Sequence, residues 1–250
     1  MEKAYTFRKI TNKEELTQFF KLRYAVYEQS DLQAFISING KKMDIDVYDI
    51  HSHHYGLFKG NEIAGYIRLV VGRKGYCNPA ILTICKENGF FENDLSFQNG
   101  ALKNCAPSYP FLGYPGVPPV VKDYYNSIKS DYPIIEASRL VIPENHRGVR
   151  AGLRMIELAT IAAMQLIGNG KGYVIIDCAT SQEKVYGLFG FKRLPGLKDY
   201  YVFDVMKGKS LCLSLSLSLS LCLSDIPAKM HDRFYGMSEE FVKTNKIVRH

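Results

Sequence analysis

The sequence predicts an α/β fold in which a mixed central sheet is flanked by helices. Several short segments alternate apolar and polar residues, as strands do, while longer segments repeat apolar residues every three or four positions, as helices do. A strand, a glycine-containing turn and a helix follow one another within 134–167. With 250 residues, of which 46% are apolar, the chain is long enough to bury one substantial core.

The first part of the chain predicts a strand, a helix and a hairpin. Residues 4–10 form the strand pattern, and Thr11 or Asn12 is suited to cap the helix that follows. The helix has one apolar face, formed by Leu16, Phe19, Phe20, Tyr24 and Tyr27. Two strand patterns within 53–72 then flank a turn at Gly60 and Asn61.

Residues 73–132 show no clear period and are expected to be an insertion between strands. Part of this insertion, 104–120, is rich in proline and glycine. It also contains Tyr109, Phe111 and Tyr114, and so many aromatic residues are unusual in a solvated linker. We therefore predict a packed insertion that covers part of the domain.

The second part predicts strand 134–142, helix 148–167, strand 173–179, a short helix that ends at Gly190 and two further strands. These elements complete a domain that we assign to residues 1–206. Residues 207–250 are predicted to add a C-terminal extension of one strand and one amphipathic helix.

The extension begins with LCLSLSLSLSLCLS (211–224), where leucine occupies every second position. On a strand, all leucines of this tract would share one face, opposite the serines, Cys212 and Cys222. We predict a half-buried edge strand, with disorder as the alternative. As a separate hypothesis, a repeat of the dinucleotide CT would also encode alternating leucine and serine, and slippage in such a repeat would shift the reading frame after the tract.

Composition limits the functions to be considered. The formal net charge of +7 suits an acidic partner, whether nucleic acid, a membrane surface or an acidic carrier protein, but no nucleic-acid recognition motif is present. The six cysteines form no C-x-x-C pair, and the isolated group His51, His53 and His54 does not predict a metal site. Without a long apolar run or a signal-peptide pattern, we expect a cytoplasmic protein.

The predicted central helix starts with NHRGVRAGLR (145–154). Arg147, Arg150 and Arg154 lie three or four residues apart and form a basic stripe, while Gly148 and Gly152 allow close approach to the backbone. Because helix N-termini bind phosphate groups, we assign these five residues to the binding of a phosphate group or an acidic partner. The alternative is an ordinary solvated helix face.

Two segments resemble the GNAT acyltransferase superfamily. RGVRAG (147–152) is similar to the pyrophosphate-binding signature that opens the central helix of that superfamily, with Arg150 where the first glycine belongs. VYGLFGFKRLP (185–195) is similar to the helix end and strand that follow the signature. The resemblance implies a GNAT-like sheet, and Arg150 disfavours the usual coenzyme A pyrophosphate mode.

Four further blocks resemble acyl-homoserine-lactone synthases and long-chain N-acyl amino acid synthases. They are LRYAVYEQ (22–29), MDIDVYDIHSHH (43–54), GYIRLV (65–70) and EASRLVIP (136–143). The residues that match are Arg23, Tyr27, Asp46, Asp49, Arg68, Glu136 and Arg139. Lactone synthases have a tryptophan after the first block, and this chain contains none, so the amino acid synthases are the better match.

The resemblance implies transfer of a fatty acyl group from an acyl carrier protein or coenzyme A thioester to the amine of an amino acid or related acceptor, without a permanently bound cofactor. We expect Arg23, Arg68 and Arg139 to balance Asp46, Asp49 and Glu136, with Glu136 acting as a base or holding the amine. The alternatives are a lactone synthase, a coenzyme A dependent acetyltransferase for small amines, and a non-enzymatic module that binds an acyl ligand.

Glu136 and Arg139 are three residues apart in predicted strand 134–142. On a regular strand, residues an odd number apart face opposite sides of the sheet. The resemblance implies a β-bulge here, which redirects side chains and leaves backbone N–H groups free for a thioester carbonyl. We therefore predict a bulged central strand with both residues at one site.

Overall fold

The computed structural model describes residues 4–30, 32–36, 38–72, 76–91, 109–114, 116–168, 170–202, 209–218 and 225–249. The strands within these ranges are β1 (Tyr5–Ile10), β2 (Ser52–Lys59), β3 (Glu62–Val70), β4 (Ile134–Val141), β5 (Lys171–Ala179), β6 (Lys192–Arg193), β7 (Tyr201–Val202), β8 (Lys209–Ser218) and β9 (Lys246–Arg249). The helices are α1 (Lys13–Glu28), α2 (Pro79–Asn88), α3 (Pro110–Gly113), α4 (Pro119–Ile128), α5 (Val149–Ile167), α6 (Glu183–Gly187) and α7 (His231–Thr244).

All nine described strands belong to one mixed sheet with the order β6-β8-β5-β4-β3-β2-β1-β9, and β7 pairs with β8. Helices cover both faces. On one face, Phe7 of β1 and Tyr55 of β2 stack beside Phe241 of α7. On the other face, Phe19 of α1 packs edge-on against Phe58 of β2. The α/β class with a mixed, helix-flanked sheet is confirmed.

Helix α1 begins where the sequence predicts. The side chain of Asn12 accepts a hydrogen bond from the backbone N–H of Glu15 and so caps the first turn. The predicted apolar face is buried, and Arg23, which lies next to it in sequence, is fully buried too. This helix therefore carries a positive charge into the interior, where it needs acidic partners.

Strand β4 contains the predicted bulge. In the antiparallel pair with β3, Tyr66 is opposite Val141 and Arg68 is opposite Ser138. One residue on β3 thus faces two on β4, and Arg139, at the extra position, has φ = 55°. Parallel pairing with β5 covers only Ile134–Glu136. Beyond Glu136 the described pairing of these two strands stops, and a gap opens in the sheet.

Strand β8 is not an edge strand, which corrects the prediction for the Leu-Ser tract. It lies between β5 and β6 and pairs with β5 at nine positions, from Lys171 opposite Ser218 to Ala179 opposite Ser210. Both faces are covered: Leu213 and Leu215 are buried on the α5 side, while Cys212 and Ser214 are buried on the other. The tract is interior because β6 and β7 pair with its outer edge.

The described part of the extension after residue 206 joins the same sheet and core. Strand β8 and helix α7 occupy the predicted region, and α7 buries Phe234, Met237 and Phe241. Strand β9, which the sequence pattern did not predict, pairs with β1 at the other end of the sheet. A domain division at residue 206 remains a prediction. The end of the tract, 219–224, lies outside the described residues.

The insertion between β3 and β4 contains more regular structure than its sequence pattern predicted. Helix α2 is capped by Asn78, starts with Pro79 and ends at Asn88, and Gly89 follows as the C-cap with φ = 71°. These are ordinary helix signals that periodicity alone does not detect in a segment of ten residues.

Among the described residues, no helix combines the length and the hydropathy needed to cross a membrane.

Candidate active site

Six buried or partly buried charged side chains meet on the α1 face of the sheet: Arg23, Arg68, Arg139, Asp44, Asp46 and Asp49. Arg23 from α1 donates through Nε and Nη2 to Asp44 Oδ2 at 2.9 and 2.7 Å. Its Nη1 donates to Asp49 Oδ1 at 2.6 Å. Each donor nitrogen of Arg23 thus has a carboxylate partner.

The other two guanidinium groups close this arrangement. Arg68 Nη1 donates to Asp46 Oδ1 at 2.6 Å and to Asp49 Oδ1 at 3.1 Å. Arg139 Nε donates to Asp44 Oδ2 at 3.0 Å, and its Nη2 donates to Asp46 Oδ2 at 3.2 Å. The six residues form a closed cycle in which positive and negative groups alternate, and we call it the charged ring.

Opposite charges within the ring keep Arg68 and Asp49 ionised although both are shielded from water. Burial alone would lower the pKa of Arg68, but Asp46 and Asp49 outweigh it and raise that pKa. Burial would likewise raise the pKa of Asp49, but Arg23 and Arg68 lower it. With three positive and three negative groups, the ring has no net charge, so it tolerates burial as a unit.

The local sequence explains how two acids of the ring are held. Asp46 and Asp49 form a capping box around the 3₁₀ turn Val47–His51. The Asp46 carboxylate accepts from the N–H groups of Tyr48 and Asp49, and the Asp46 N–H donates to Asp49 Oδ2 at 2.8 Å. Because Asp46 and Asp49 are three residues apart, they cap the turn together and also accept hydrogen bonds from the arginines of the ring.

Asp44 is the ring member that the sequence analysis missed. Glu136 was predicted as the third acid of the network, but the described hydrogen bonds place Asp44 in that role, between Arg23 and Arg139. A signal was present in the alternation of MDIDVYD, where Asp44 lies two residues before Asp46. The prediction that Glu136 belongs to this network is therefore wrong. Its predicted role in catalysis does not depend on membership of the network.

His54 supports the ring and is not charged. Burial lowers its pKa to about 4, so His54 is neutral at physiological pH and adds no charge to the ring. His54 Nε2 lies 3.0 Å from the carbonyl oxygen of Asp49 and donates to it, while Nδ1 accepts from Tyr66 Oη at 2.6 Å. No group of three or more metal-ligating side chains occurs in the described ranges.

Glu136 lies outside the ring but on the same face of the sheet. It is 1% exposed, and its Oε2 accepts from the backbone N–H of Phe111 at 3.1 Å. Burial is the main cause that raises the pKa of Glu136 to about 8. A carboxyl group with this pKa is a stronger base, once ionised, than an exposed glutamate.

A cavity of about 810 Å³ opens where β4 and β5 diverge. Glu136 and Arg139 line it from β4, Val174 and Ile176 line it from β5, and α5 forms a long wall. The lining positions on α5 extend to Thr160; counted from Gly148, this is about 18 Å at a rise of ~1.5 Å per residue. The cavity is large for a small-molecule site and has an apolar interior.

The residues predicted to bind the donor lie at or near the start of α5. Arg147, Gly148 and Gly152 line the cavity, and a Cβ atom added to either glycine would meet no atom within 4 Å. Arg150 is exposed and Arg154 is half-buried, with its Nε 3.9 Å from Glu157 Oε2. The structure therefore brings three of the five residues to the cavity and leaves Arg150 and Arg154 beside it.

Two further titratable residues line the cavity and were not singled out from the sequence. Burial raises the pKa of Tyr186, which follows β5 in the segment VYGLFGF, so its phenol stays protonated. Burial also raises the pKa of Asp177 on β5 to about 7, although the phenol of Tyr201 donates a hydrogen bond to it. The signal for Tyr186 was its place inside the matched segment VYGLFGFKRLP, and the signal for Asp177 was an acid near a strand end.

The sequence matches no model of a protein family and no curated protein. Two structures of the coenzyme A dependent acyl-homoserine lactone synthase BjaI align with TM-score 0.52 over 94% of this chain and 90% of theirs. One contains MTA, at 15% identity; the other contains SAM and isopentyl-CoA, at 14%. FeeM, an N-acyl amino acid synthase from uncultured soil microbes, aligns with TM-score 0.45 and 13% identity over 84% of this chain and 89% of its own. At such identities the similarity to BjaI establishes a common fold.

Proposed function

We propose that this protein is a cytoplasmic N-acyltransferase that moves a long-chain acyl group from a carrier-protein or coenzyme A thioester to the amine of an amino acid or related acceptor. The observation that carries the proposal is the position of Glu136. Its buried carboxyl group lies in the wall of a long apolar cavity, where a thioester and an amine can meet. The motifs matched in sequence support the same chemistry.

In the proposed reaction the ammonium form of the acceptor first loses one proton to solvent. Glu136, in its ionised form, then accepts the second proton, directly or through water, as the neutral amine attacks. The amine nitrogen attacks the thioester carbonyl carbon, and a C–N bond forms. Collapse of the tetrahedral intermediate breaks the C–S bond and releases a thiolate, which must take up a proton. Tyr186 lines the cavity and stays protonated, so we assign it as the proton donor.

The bulge and the end of the β4–β5 pairing suit a further requirement of acyl transfer, which is a site that stabilises a negative oxygen. A tetrahedral intermediate carries a negative oxygen, which hydrogen-bond donors stabilise. Because the described pairing of β4 with β5 ends at Glu136, backbone N–H groups of β4 beyond this point are available on the β5 side. We assign the oxyanion site to this stretch.

We favour an acyl carrier protein as the donor form and partner. Carrier proteins are acidic, and this chain has a formal charge of +7, with Arg147, Arg150 and Arg154 near the cavity. Arg150 also places a side chain where close backbone approach to a pyrophosphate would be needed. These observations support docking of the carrier at the start of α5.

A coenzyme A dependent acetyltransferase for small amines is a weaker candidate because the cavity far exceeds the volume of an acetyl group. A lactone synthase would share the acyl cavity and differ in product. A module that binds an acyl ligand without turnover would not need a base at the position of Glu136.

Mass spectrometry of lipid extracts from cells that express the protein tests the proposal. We expect new N-acylated amines, which identify acceptor and chain together, and their loss in cells that express Glu136→Gln at equal levels. A lactone product would favour the lactone synthase. Absence of any new product from both extracts and purified protein supplied with acyl thioesters and amines would favour the binding module.

A further inference from the structure

Asp177 is an acid in the cavity wall that the proposed reaction does not use. It lies near the end of β5 and lines the cavity together with Glu136. The phenol of Tyr201, on β7, donates a hydrogen bond to its Oδ2. The carboxyl group of Asp177 is therefore held in one orientation, close to the strand that carries the proposed base.

The pairing of β4 with β5 places Asp177 and Glu136 on one face of the sheet. Glu136 is opposite Ile175, and residues that are opposite each other share a face. Asp177 is two residues after Ile175, so its side chain returns to that face. Neighbouring strands lie ~4.8 Å apart and rise ~3.3 Å per residue, so the Cα atoms of such a diagonal pair are roughly 8 Å apart in a regular ladder.

The pairing of β5 with β8 supports the same position for Asp177. Asp177 is opposite Cys212, and Ile175 is opposite Ser214. Both Cys212 and Ser214 are buried on the face of the sheet away from α5, which is the face of the charged ring. Two separate ladders thus place Asp177 on the same side as Glu136.

A negative charge on Asp177 opposes the ionisation of Glu136. Burial is the main cause that raises the pKa of Glu136; the N–H of Phe111 and the guanidinium of Arg68 act against burial, and the carboxylate of Asp177 adds to it. Burial raises the pKa of Asp177 to about 7, below the value of about 8 for Glu136, so Asp177 ionises first as the pH rises. Glu136 then ionises beside a group that is already negative.

The phenols and thiols around this pair stay protonated near neutral pH because burial raises the pKa of each. Arg68 and Asp46 face Glu136 from the charged ring. Compared with these phenols and thiols, Asp177 is the group whose charge changes close to neutral pH. The phenols and thiols are Tyr48 and Tyr114 on the Glu136 side, and Tyr201, Cys178 and Cys212 on the Asp177 side.

We propose that Asp177 is a positioning residue that acts through Glu136: its carboxylate, held by Tyr201, makes Glu136 ionise at higher pH and act as a stronger base once ionised. This inference rests on the proposed acyl transfer and adds a residue to its site. Asp177 itself contacts neither the amine nor the thioester. Tyr201 supports this role because its hydrogen bond favours the ionised form of Asp177.

The first test follows the ionisation of Glu136 without turnover. The protein is labelled with carbon-13 in the side-chain carboxyl groups of glutamate, and the nuclear magnetic resonance signal that Glu136→Gln removes is recorded from pH 5 to 10. Asp177→Asn keeps the size of the side chain and removes its charge. We expect it to lower the Glu136 midpoint by roughly one pH unit, as for like charges ~8 Å apart in a partly shielded site.

A matched control makes the same chemical change far from the cavity. Asp232 is exposed on α7 and does not line the cavity. Asp232→Asn should leave the Glu136 midpoint at its wild-type value.

The second test measures kcat/KM against pH with one long-chain acyl thioester and an amine that the wild type acylates. In Asp177→Asn the midpoint should move to lower pH, so the ratio of variant to wild-type kcat/KM should be larger at pH 6.5 than at pH 9. A purely structural loss would lower kcat/KM by the same factor at both pH values. Tyr201→Phe should shift the midpoint in the same direction by less, because Asp177 then ionises at higher pH.

The outcomes separate this inference from the proposed function. An unchanged Glu136 midpoint in Asp177→Asn would overturn the interaction between the two carboxyl groups. A shifted midpoint with an unshifted activity profile would remove Asp177 from the reaction and leave acyl transfer intact. If no thioester and amine tested give a product, N-acyl transfer is wrong and the role of Asp177 in it falls too, while the carbon-13 titration still decides whether the two carboxyl groups interact.

Discussion

At the residue scale, the charged ring shows why single residues were easier to identify than their partners. Arg23, Arg68 and Arg139 were all predicted from motifs, and all three bond to carboxylates in the interior. Their partners depend on how α1, β3 and β4 come together. Asp44 is in contact with Arg23 and Arg139, which are 21 and 95 residues away in sequence.

The ring predicts a large effect of Asp44→Asn on stability. The substitution removes the charge that Arg23 and Arg139 share and leaves positive charge buried without compensation. We expect the free energy of unfolding to fall by about 3–5 kcal/mol in urea denaturation. Glu15→Gln, which breaks the partly exposed pair with Arg8, is the matched control and should cost no more than about 1 kcal/mol. Similar losses for both variants would contradict a cooperative ring.

The substitution Glu136→Gln should lower activity but raise stability at alkaline pH. The pKa of Glu136 is about 8 in the folded protein, above its ordinary value of 4.5. Between these two pH values the carboxyl group is ionised in the unfolded chain and protonated in the folded protein. The free energy of unfolding therefore falls as the pH rises above 4.5. Glu136→Gln should therefore unfold at a higher temperature than the wild type at pH 8, and at nearly the same temperature at pH 4. Calorimetry at the two pH values measures the difference.

The same pKa predicts the pH profile of the reaction. Because the ionised carboxylate of Glu136 is the proposed base, wild-type kcat/KM should rise with pH up to about 8. Glu136→Gln should lose this rise and keep only the later titration of the acceptor amine. A wild-type profile that is flat between pH 6 and 8 would count against Glu136 as the base.

At the element scale, the bulge in β4 and the interior position of β8 decide the shape of the site. The odd spacing of Glu136 and Arg139 predicted the bulge, because both residues had motif roles and a regular strand would separate them. The Leu-Ser alternation predicted a strand and its two faces. It did not predict the neighbours, since the pattern repeats every two residues and fits an edge as well as an interior position.

The two-residue period of β8 makes a specific prediction for deletions. Removal of Leu215 and Ser216 together keeps every remaining leucine on the α5 side and should leave a folded protein with reduced stability. Removal of Ser216 alone reverses the faces of Leu217 and Ser218, the residues of β8 that follow it, and should destabilise the protein more than the paired deletion does. Circular dichroism and solubility on expression compare the two variants. Equal tolerance of both deletions would contradict the pairing with β5.

At the scale of the whole molecule, the net charge of +7 indicates where an acidic partner would bind only when the positions of the basic residues are known. Arg147 lies at the cavity and Arg150 is exposed nearby, at one part of a wide sheet. Much of the remaining positive charge is elsewhere, including Lys59 and Lys246 near the β9 end. A carrier protein that delivers an acyl chain to the cavity would meet the first group and not the second.

This arrangement predicts the response to charge reversal. Changing Arg147, Arg150 and Arg154 together to Glu should reduce transfer from an acyl carrier protein at least tenfold, because it replaces attraction by repulsion at the docking surface. Wild-type transfer from the carrier should weaken as salt is added. The control changes Lys59, Lys243 and Lys246 to Glu, which alters the net charge equally. Unchanged transfer in the arginine variant would remove the docking hypothesis.

The sequence by itself determined the fold class and the order of the helices and strands around the site, and the resemblance of its motifs implied the bulge in β4 and most of the residues that meet near the cavity. These features depend on local period, capping and motif spacing, which a linear chain contains. Only the tertiary structure decided that Asp44 completes the charged ring, that β8 lies inside the sheet and that β4 and β5 diverge over a long apolar cavity. Each of these depends on contacts between segments far apart in the chain, where many arrangements satisfy the same local pattern and packing selects one.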